Sequence, residues 1–166
     1  MSLHFDARAF RNALGRFATG VALVTTREGG GRAIGITVNS FSSVSLDPPL
    51  VLWSLARTSP NLEHFAVGRP HLIHVLAHDQ EPLARRFASR EVDKFEGLEY
   101  HLTTDGLPRF DDCLAWFDCR THAWHEEGDH VIVVARVHAL DQSERDPLLF
   151  CGGRFALIET SASNLG

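Results

Sequence analysis

The stretch from Cys113 to Leu140 constrains the fold more than any other. Two runs with apolar side chains on alternate residues, Cys113 to His125 and His130 to Leu140, flank the turn Glu126-Glu127-Gly128-Asp129. A period of two is the signature of a strand, and strands joined by so short a turn can pair only antiparallel. In the second run Val131, Val133, Ala135 and Val137 share one face, with Ile132, Val134, Arg136 and His138 on the other. A long hairpin with an apolar face needs further strands or helices to cover it.

The rest of the chain supplies them. Val21 to Thr26 is a β-branched run, Glu28-Gly29-Gly30-Gly31 a flexible turn, and Arg32 to Phe41 the returning strand. Leu50 to Ala56 is almost wholly apolar and predicts a central strand buried on both faces. Between them, Asp47-Pro48-Pro49 removes two amide donors and predicts a break between strands. Pro70 to Ala77 predicts another strand, residues 97–112 short fragments, and Leu148 to Leu157 a final pair around Gly152-Gly153.

Helices are few. Phe5 to Ala18 has Phe10, Leu14 and Phe17 at helical spacing, Asp6 as a cap and Gly20 as its stop. A short helix opens at Ser59-Pro60, and Gln80 to Ser89 predicts a third with Leu83, Ala84 and Phe87 inward. Many hairpins without a βαβ rhythm predict a mainly β chain with flanking helices, closed as an antiparallel barrel. At 166 residues one domain, 1–166, is expected.

Several classes are excluded as expectations. A net charge of −5 argues against a nucleic-acid surface. No apolar run is long enough for a membrane helix and no signal peptide is visible, so a cytoplasmic protein is expected. The three cysteines form no CxxC pair, although Cys113 and Cys119 are spaced to share one side of a strand. They read as small apolar residues. The ten histidines make no HExxH pattern, and no metal site is expected. Neither GxGxxG nor GxxxxGK[ST] occurs, so nothing supports a Rossmann domain.

The polar richness lies elsewhere. Thr37 to Ser45 holds four serines and a threonine in nine positions, with Asn39 among them. Such groups lose hydration on burial unless something hydrogen-bonds to them. Set between apolar strands, they suit a ligand rich in hydrogen-bonding edges, although a hydroxyl-rich edge strand has the same composition.

Taken with Phe17-Ala18-Thr19-Gly20-Val21 before it and Gly128-Asp129-His130 after it, the chain from Phe10 to Leu157 resembles the flavin reductase family of FMN-binding split barrels. The resemblance implies a Greek-key split β-barrel, a homodimer sharing its flavin site between chains, and NADH or NADPH as donor to FMN or FAD. It also implies a separate monooxygenase component as partner. Thr37, Asn39, Ser40, Ser43, Val44 and Ser45 match the segment lining the flavin ring and ribityl chain. Ser54, Leu55, Ala56 and Ser59 match the strand end and helix start near ribityl and phosphate, and Phe87, Lys94 and Phe95 the further lobe. His130 matches the histidine beside the nicotinamide. Arg154 and Phe155 would border the nucleotide, although Cys151-Gly152-Gly153 departs from the aromatic and basic run expected there. An oxidoreductase acting directly on an organic substrate, and a non-catalytic flavin-binding protein, remain alternatives.

Overall fold

The computed structural model describes residues 4–29, 31–90 and 93–158. The long hairpin is at its centre, as strands β9 (Ala115–Glu127) and β10 (His130–Gln142). Gly128, at φ 62, takes the first turn position, where a type II′ turn needs a left-handed residue. Around this hairpin runs an antiparallel sheet of seven strands, in the order β3-β2-β6-β9-β10-β5-β4. The added strands are β2 (Ala22–Arg27), β3 (Ala33–Val38), β4 (Ser42–Leu46), β5 (Pro49–Ala56) and β6 (Pro70–Val75).

A three-stranded sheet joins β1 (Thr19–Gly20), β11 (Leu149–Cys151) and β12 (Arg154–Ala156), and a small pair joins β7 (His101–Leu102) and β8 (Pro108–Arg109). Helix α2 (Glu81–Ala88) packs on β3, burying Ala84 and Phe87. Among the described residues, no helix is long and apolar enough to cross a membrane.

One connection decides the shape of the large sheet. Strands β3 and β4 lie at its opposite edges, yet only residues 39–41 separate them in the chain. Four Cα–Cα steps span at most about 15 Å. The edges of a flat seven-stranded sheet would stand about 29 Å apart. The sheet is therefore rolled until those strand ends nearly meet. Phe41 enters the interior beside Phe117, with ring centroids 5.6 Å apart.

The roll creates an inside and an outside, and both are packed. The interior cluster includes Val24, Val51, Trp53, Leu55, Phe65, Ile73, Val131 and Val133. The second cluster lies under α2 and the tail, with Val21, Leu23, Leu76, Phe87, Phe110 and Leu148. Strand β2 feeds both. It is buried on two faces, as β6 is, a place the sequence assigned to Leu50–Ala56. In β5 only Val51, Trp53 and Leu55 are fully buried, because none of the described residues covers its other face.

Other expectations change in detail. Helix α1 spans Ala7–Leu14, with Asp6 Oδ1 accepting from the Ala9 amide at 2.7 Å as its cap. It stops at Gly15 rather than Gly20. The break expected at Asp47-Pro48-Pro49 is the turn of the β4–β5 hairpin at Asp47-Pro48, a cis peptide, with Pro49 already in β5 opposite Leu46. Gly30 of the β2–β3 turn lies outside the described residues. Cys113 falls before β9 and joins the outer cluster, whereas Cys119 joins the interior one, so they share no strand face. Burial pushes the Cys113 thiol up to about 11 and the Cys119 thiol further.

Two histidines are built into these cores as neutral groups. Trp53 Nε1 donates to His71 Nε2 at 3.3 Å, and an indole nitrogen can only donate. His74 Nδ1 donates to the Leu23 carbonyl at 3.1 Å while its Nε2 accepts from the Phe110 amide at 3.2 Å. Burial holds both pKa values down to about 4, from the usual 6.5. Below pH 6.5 the unfolded chain therefore binds protons that the folded chain refuses, and stability rises with pH across that window. Urea unfolding followed from pH 7 to pH 4 should show stability falling steadily, by up to about 3 kcal/mol for each histidine. Replacing His71 by Phe should remove part of that slope.

Candidate functional site

Strand β3, α2 and the loop after α2 enclose a cavity of about 1060 Å³. That is at the upper end of the roughly 300–1,000 Å³ usual for small-molecule sites. Its floor is β3 from Ala33 to Thr37, and Phe87, Phe95 and Tyr100 form an aromatic wall. Phe87 and Phe95 meet edge to face at 4.8 Å, and Phe95 and Tyr100 at 5.3 Å. Gly35 is bare because the Phe87 ring lies against it. A Cβ there would stand 2.4 Å from two ring carbons.

The rim is polar and mostly donates. Arg32, Arg90, Ser59 and Asn61 line it, together with Asp93 and Glu96. Asp93 Oδ1 is already engaged by the amides of Phe95 and Glu96, each at 3.1 Å. Arg32 holds Glu28 at 3.0 Å, which pulls the Glu28 pKa below its usual value. Guanidinium and amide donors over an aromatic wall fit a ligand with a phosphate and a flat ring.

Of the residues singled out in the sequence, Thr37, Ser59, Phe87, Lys94 and Phe95 line this cavity. Several of their polar atoms have internal partners. Thr37 Oγ1 donates to the Ala84 carbonyl of α2 at 2.6 Å. Lys94 Nζ donates to the Phe87 carbonyl at 3.0 Å, and a cation at a helix C-terminus offsets the dipole there. The helix start at Ser59-Pro60 is a single 3-10 turn, Leu62–Phe65, capped by Asn61 with no side-chain bond. Ser59 Oγ takes the Asn61 amide at 3.3 Å and the Ser59 carbonyl takes the Leu62 amide at 3.2 Å. The unpaired amides expected of a phosphate seat are thus used locally.

The candidates between Asn39 and Ser45, with Ser54, Leu55 and Ala56, lie along the crossing between sheet edges and the adjoining β4–β5 hairpin. Asn39 is exposed, Ser43 and Val44 are exposed on edge strand β4, and Ser45 is half-buried. Val44 is the extra residue of a bulge, because Ser43 pairs with Val51 and Ser45 with Leu50. Ser40 accepts the Ser54 amide at 2.8 Å, continuing the β4–β5 ladder with a side chain in place of backbone. Leu55 points into the interior core, whereas Ser54 and Ala56 face outward.

His130 pairs with Ala56 across β10 and β5. This puts it at the strand end that leads, three residues on, to Ser59 at the cavity. Its Nδ1 stands 2.7 Å from Asp129 Oδ1, and its side chain is 49% exposed. His130 holds the Asp129 carboxyl below the usual range. Arg154 and Phe155 lie apart from His130, on the three-stranded sheet. The Arg85 guanidinium stands 4.8 Å from the Phe155 ring centre, and Phe155 packs on Phe150 at 5.4 Å.

Sequence reasoning missed Arg32, Asn61, Arg90 and Tyr100. Asn61 and Arg90 adjoin segments already noted. Tyr100 carried no signal, because only the folding of 93–100 over α2 brings it to the wall. Among the described residues, no group of three or more His, Cys, Asp or Glu side chains could hold a metal ion.

Fold and site together describe a β protein with a nucleotide-sized cavity and a histidine at an adjoining strand end. Comparison with known proteins specifies the class. The family described as "Flavin reductase like domain" matches residues 14–159. This chain belongs to that family.

FMN reductase (NADH) SmoA of Agrobacterium fabrum is 47% identical over 152 residues, covering 90% of this chain and 85% of that protein. A probable flavin reductase of Rhizobium meliloti is 43% identical and covers 91% of this chain, which spans only 49% of that longer protein. Among solved structures, the NADH:FAD oxidoreductase SgcE6 of Streptomyces globisporus in complex with NAD and FAD fragments superposes with a TM-score of 0.89. It is 34% identical and covers 98% of this chain and 99% of its own.

The internal role of Ser40 has a measurable consequence. Ser40→Ala leaves the Ser54 amide without its acceptor, a loss of about 1 kcal/mol. Calorimetry should show the melting temperature falling by about 2–4 °C. An unchanged melting temperature would release the hydroxyl for a ligand role.

Proposed function

We propose that this chain is an NAD(P)H-dependent flavin reductase that passes a hydride from nicotinamide to FMN or FAD and supplies reduced flavin to a separate monooxygenase. The observation that carries this reading is the end-to-end overlap with a reductase solved with NAD and FAD fragments. The flavin supplies the hydride-accepting chemistry, so the protein needs no paired acid and base of its own. Its contribution is to hold and orient.

On this reading Arg32, Arg90, Ser59 and Asn61 take the phosphate end of the flavin nucleotide. Thr37, Phe87, Lys94 and Phe95 border the cavity, and the patch formed by Asn39, Ser40, Ser43, Val44, Ser45, Ser54, Leu55 and Ala56 lies along the flavin ring and ribityl chain. Leu55 could serve there through its backbone alone. His130 orients the nicotinamide, while Arg154 and Phe155 border the nucleotide more remotely. The chain acts as one domain, 1–166, in the cytoplasm, without nucleic acid or membrane as a partner.

The rolled sheet supports a split barrel, open between β3 and β4. The functional unit is a homodimer. Two uncovered apolar surfaces support this. None of the eight residues of α1 is buried, with Phe10 and Leu14 more than half exposed, and Leu46 on edge strand β4 is 95% exposed. An apolar helix face and an unpaired edge strand both call for a covering partner, and a second copy offers the same two surfaces. Light scattering at micromolar concentration should give twice the chain mass of 18.4 kDa. A stable monomer would count against the dimer.

Stopped-flow mixing of protein, flavin and NADH tests the reading as a whole. Flavin bleaching with stoichiometric nucleotide oxidation, and no need for a third substrate, is the expected result. His130→Ala should slow that step roughly tenfold to a hundredfold, because misorientation at the reacting centre is costly. Flavin affinity should change by less than about 1 kcal/mol, as for separate sites. A variant with an unaltered rate and unaltered nucleotide dependence would remove His130 from the site.

A further inference from the structure

We propose that Arg57 is a positioning residue for His130, strapping the turn that carries the histidine to the end of β5. The inference rests on the reading of His130 as the residue that orients the nicotinamide. Arg57 immediately follows Ala56, the strand partner of His130, and the described β5–β10 register ends at that pair. Beyond it the hairpin tip is tied to β5 by Arg57.

Three contacts make the strap. The Arg57 amide donates to the Asp129 carbonyl at 2.9 Å. Its Nη1 donates to the Gly128 carbonyl at 3.3 Å. Its Nη2 stands 3.3 Å from Glu126 Oε2. The acceptors are thus both main-chain carbonyls of the two-residue turn and the carboxylate two residues before it.

The ion pair by itself carries little. Both side chains are more than half exposed, 51% for Arg57 and 61% for Glu126, and pairs of that kind are well screened. The amide bond survives any substitution except proline. The distinctive element is the planar fork, which spans Gly128 and Glu126 at once and sets the angle of the tip against β5. A lysine ammonium has no such fork.

His130 needs such a support. Its ring is half exposed, and its Nδ1 contact is to the adjoining residue, Asp129, whose side chain is 96% exposed. A contact between neighbours on one turn moves with that turn and does not fix it against β5. Gly128, with φ 62 and no heavy atom within 4 Å of where a Cβ would stand, adds no packing of its own. A misplacement of about 1 Å between reacting groups can cost on the order of a hundredfold in rate. The guanidinium is therefore in a position to affect hydride transfer without touching either nucleotide.

The test is a double-mutant cycle in stopped-flow flavin reduction by NADH, using Arg57→Ala, His130→Ala and the double variant. Arg57→Ala should lower kcat/KM for NADH about fivefold to tenfold, with flavin Kd within twofold of the parent and melting within about 2 °C. Arg57→Lys should recover only part of the loss. In the His130→Ala background, Arg57→Ala should cost nothing further, because the strap then has no ring to orient.

Full additivity in the double variant would overturn the inference, as would a parental rate for Arg57→Ala. A flavin Kd raised tenfold with the rate preserved at saturating flavin would also overturn it, assigning the guanidinium to the flavin. A parental rate for His130→Ala alone would fell the reading of His130 and this inference together, which sets that failure apart from the others.

Discussion

Everything in this molecule follows from the shortness of the link between β3 and β4. Three residues carry the chain from one edge of a seven-stranded sheet to the other. The reach of the backbone leaves no option but to roll the sheet. Rolling converts one face into an interior that must be filled, and Trp53, Phe65, Val131 and Val133 fill it. It turns the other face outward, where α2 covers part and leaves the rest available. The link itself is held by a hydroxyl and a ring: Ser40 extends the ladder to Ser54, and Phe41 packs on Phe117.

The cavity is a product of the same geometry. The outer face of β3 meets α2, and Gly35 lets the Phe87 ring approach the backbone closely. Phe95 and Tyr100 extend that ring surface into a wall. Aromatic contacts set the shape and rim donors set the charge. The two are separable: the wall belongs to the outer core, whereas Arg32 and Arg90 project from it. Phe87 thus serves packing and site at once, so changes to it would be felt in both.

Polar groups in this chain mostly work for the fold first. Thr37 ties β3 to α2, Ser40 closes the roll, Lys94 finishes a helix, His71 takes the Trp53 indole proton and His74 bridges two backbone groups inside the core. A hydroxyl-rich stretch is therefore not simply a row of ligand contacts. Its atoms preorganise the surface on which a ligand rests. That is the economical arrangement for a protein whose cofactor carries the chemistry.

From residues alone, the antiparallel character was legible, because alternation and turn residues are local properties. The hairpin from Ala115 to Gln142, the β2–β3 pair and the tail pair needed no tertiary information, and Asp6 declared itself as a cap. Likewise Thr37, Ser59, Phe87, Lys94 and Phe95 could be picked out before their cavity was known, through motif resemblance.

Tertiary structure decided what depends on distance between remote segments. Leu50–Ala56 is apolar but for Ser54 yet half-covered, because burial depends on neighbours and not on composition. Phe10 and Leu14 have core-like spacing yet stay more than half exposed, since nothing among the described residues covers them. Tyr100 reached the cavity only through the folding of 93–100 over α2, and Arg57 reached the tip that carries His130 only through the pairing of β5 with β10, segments that sequence keeps far apart.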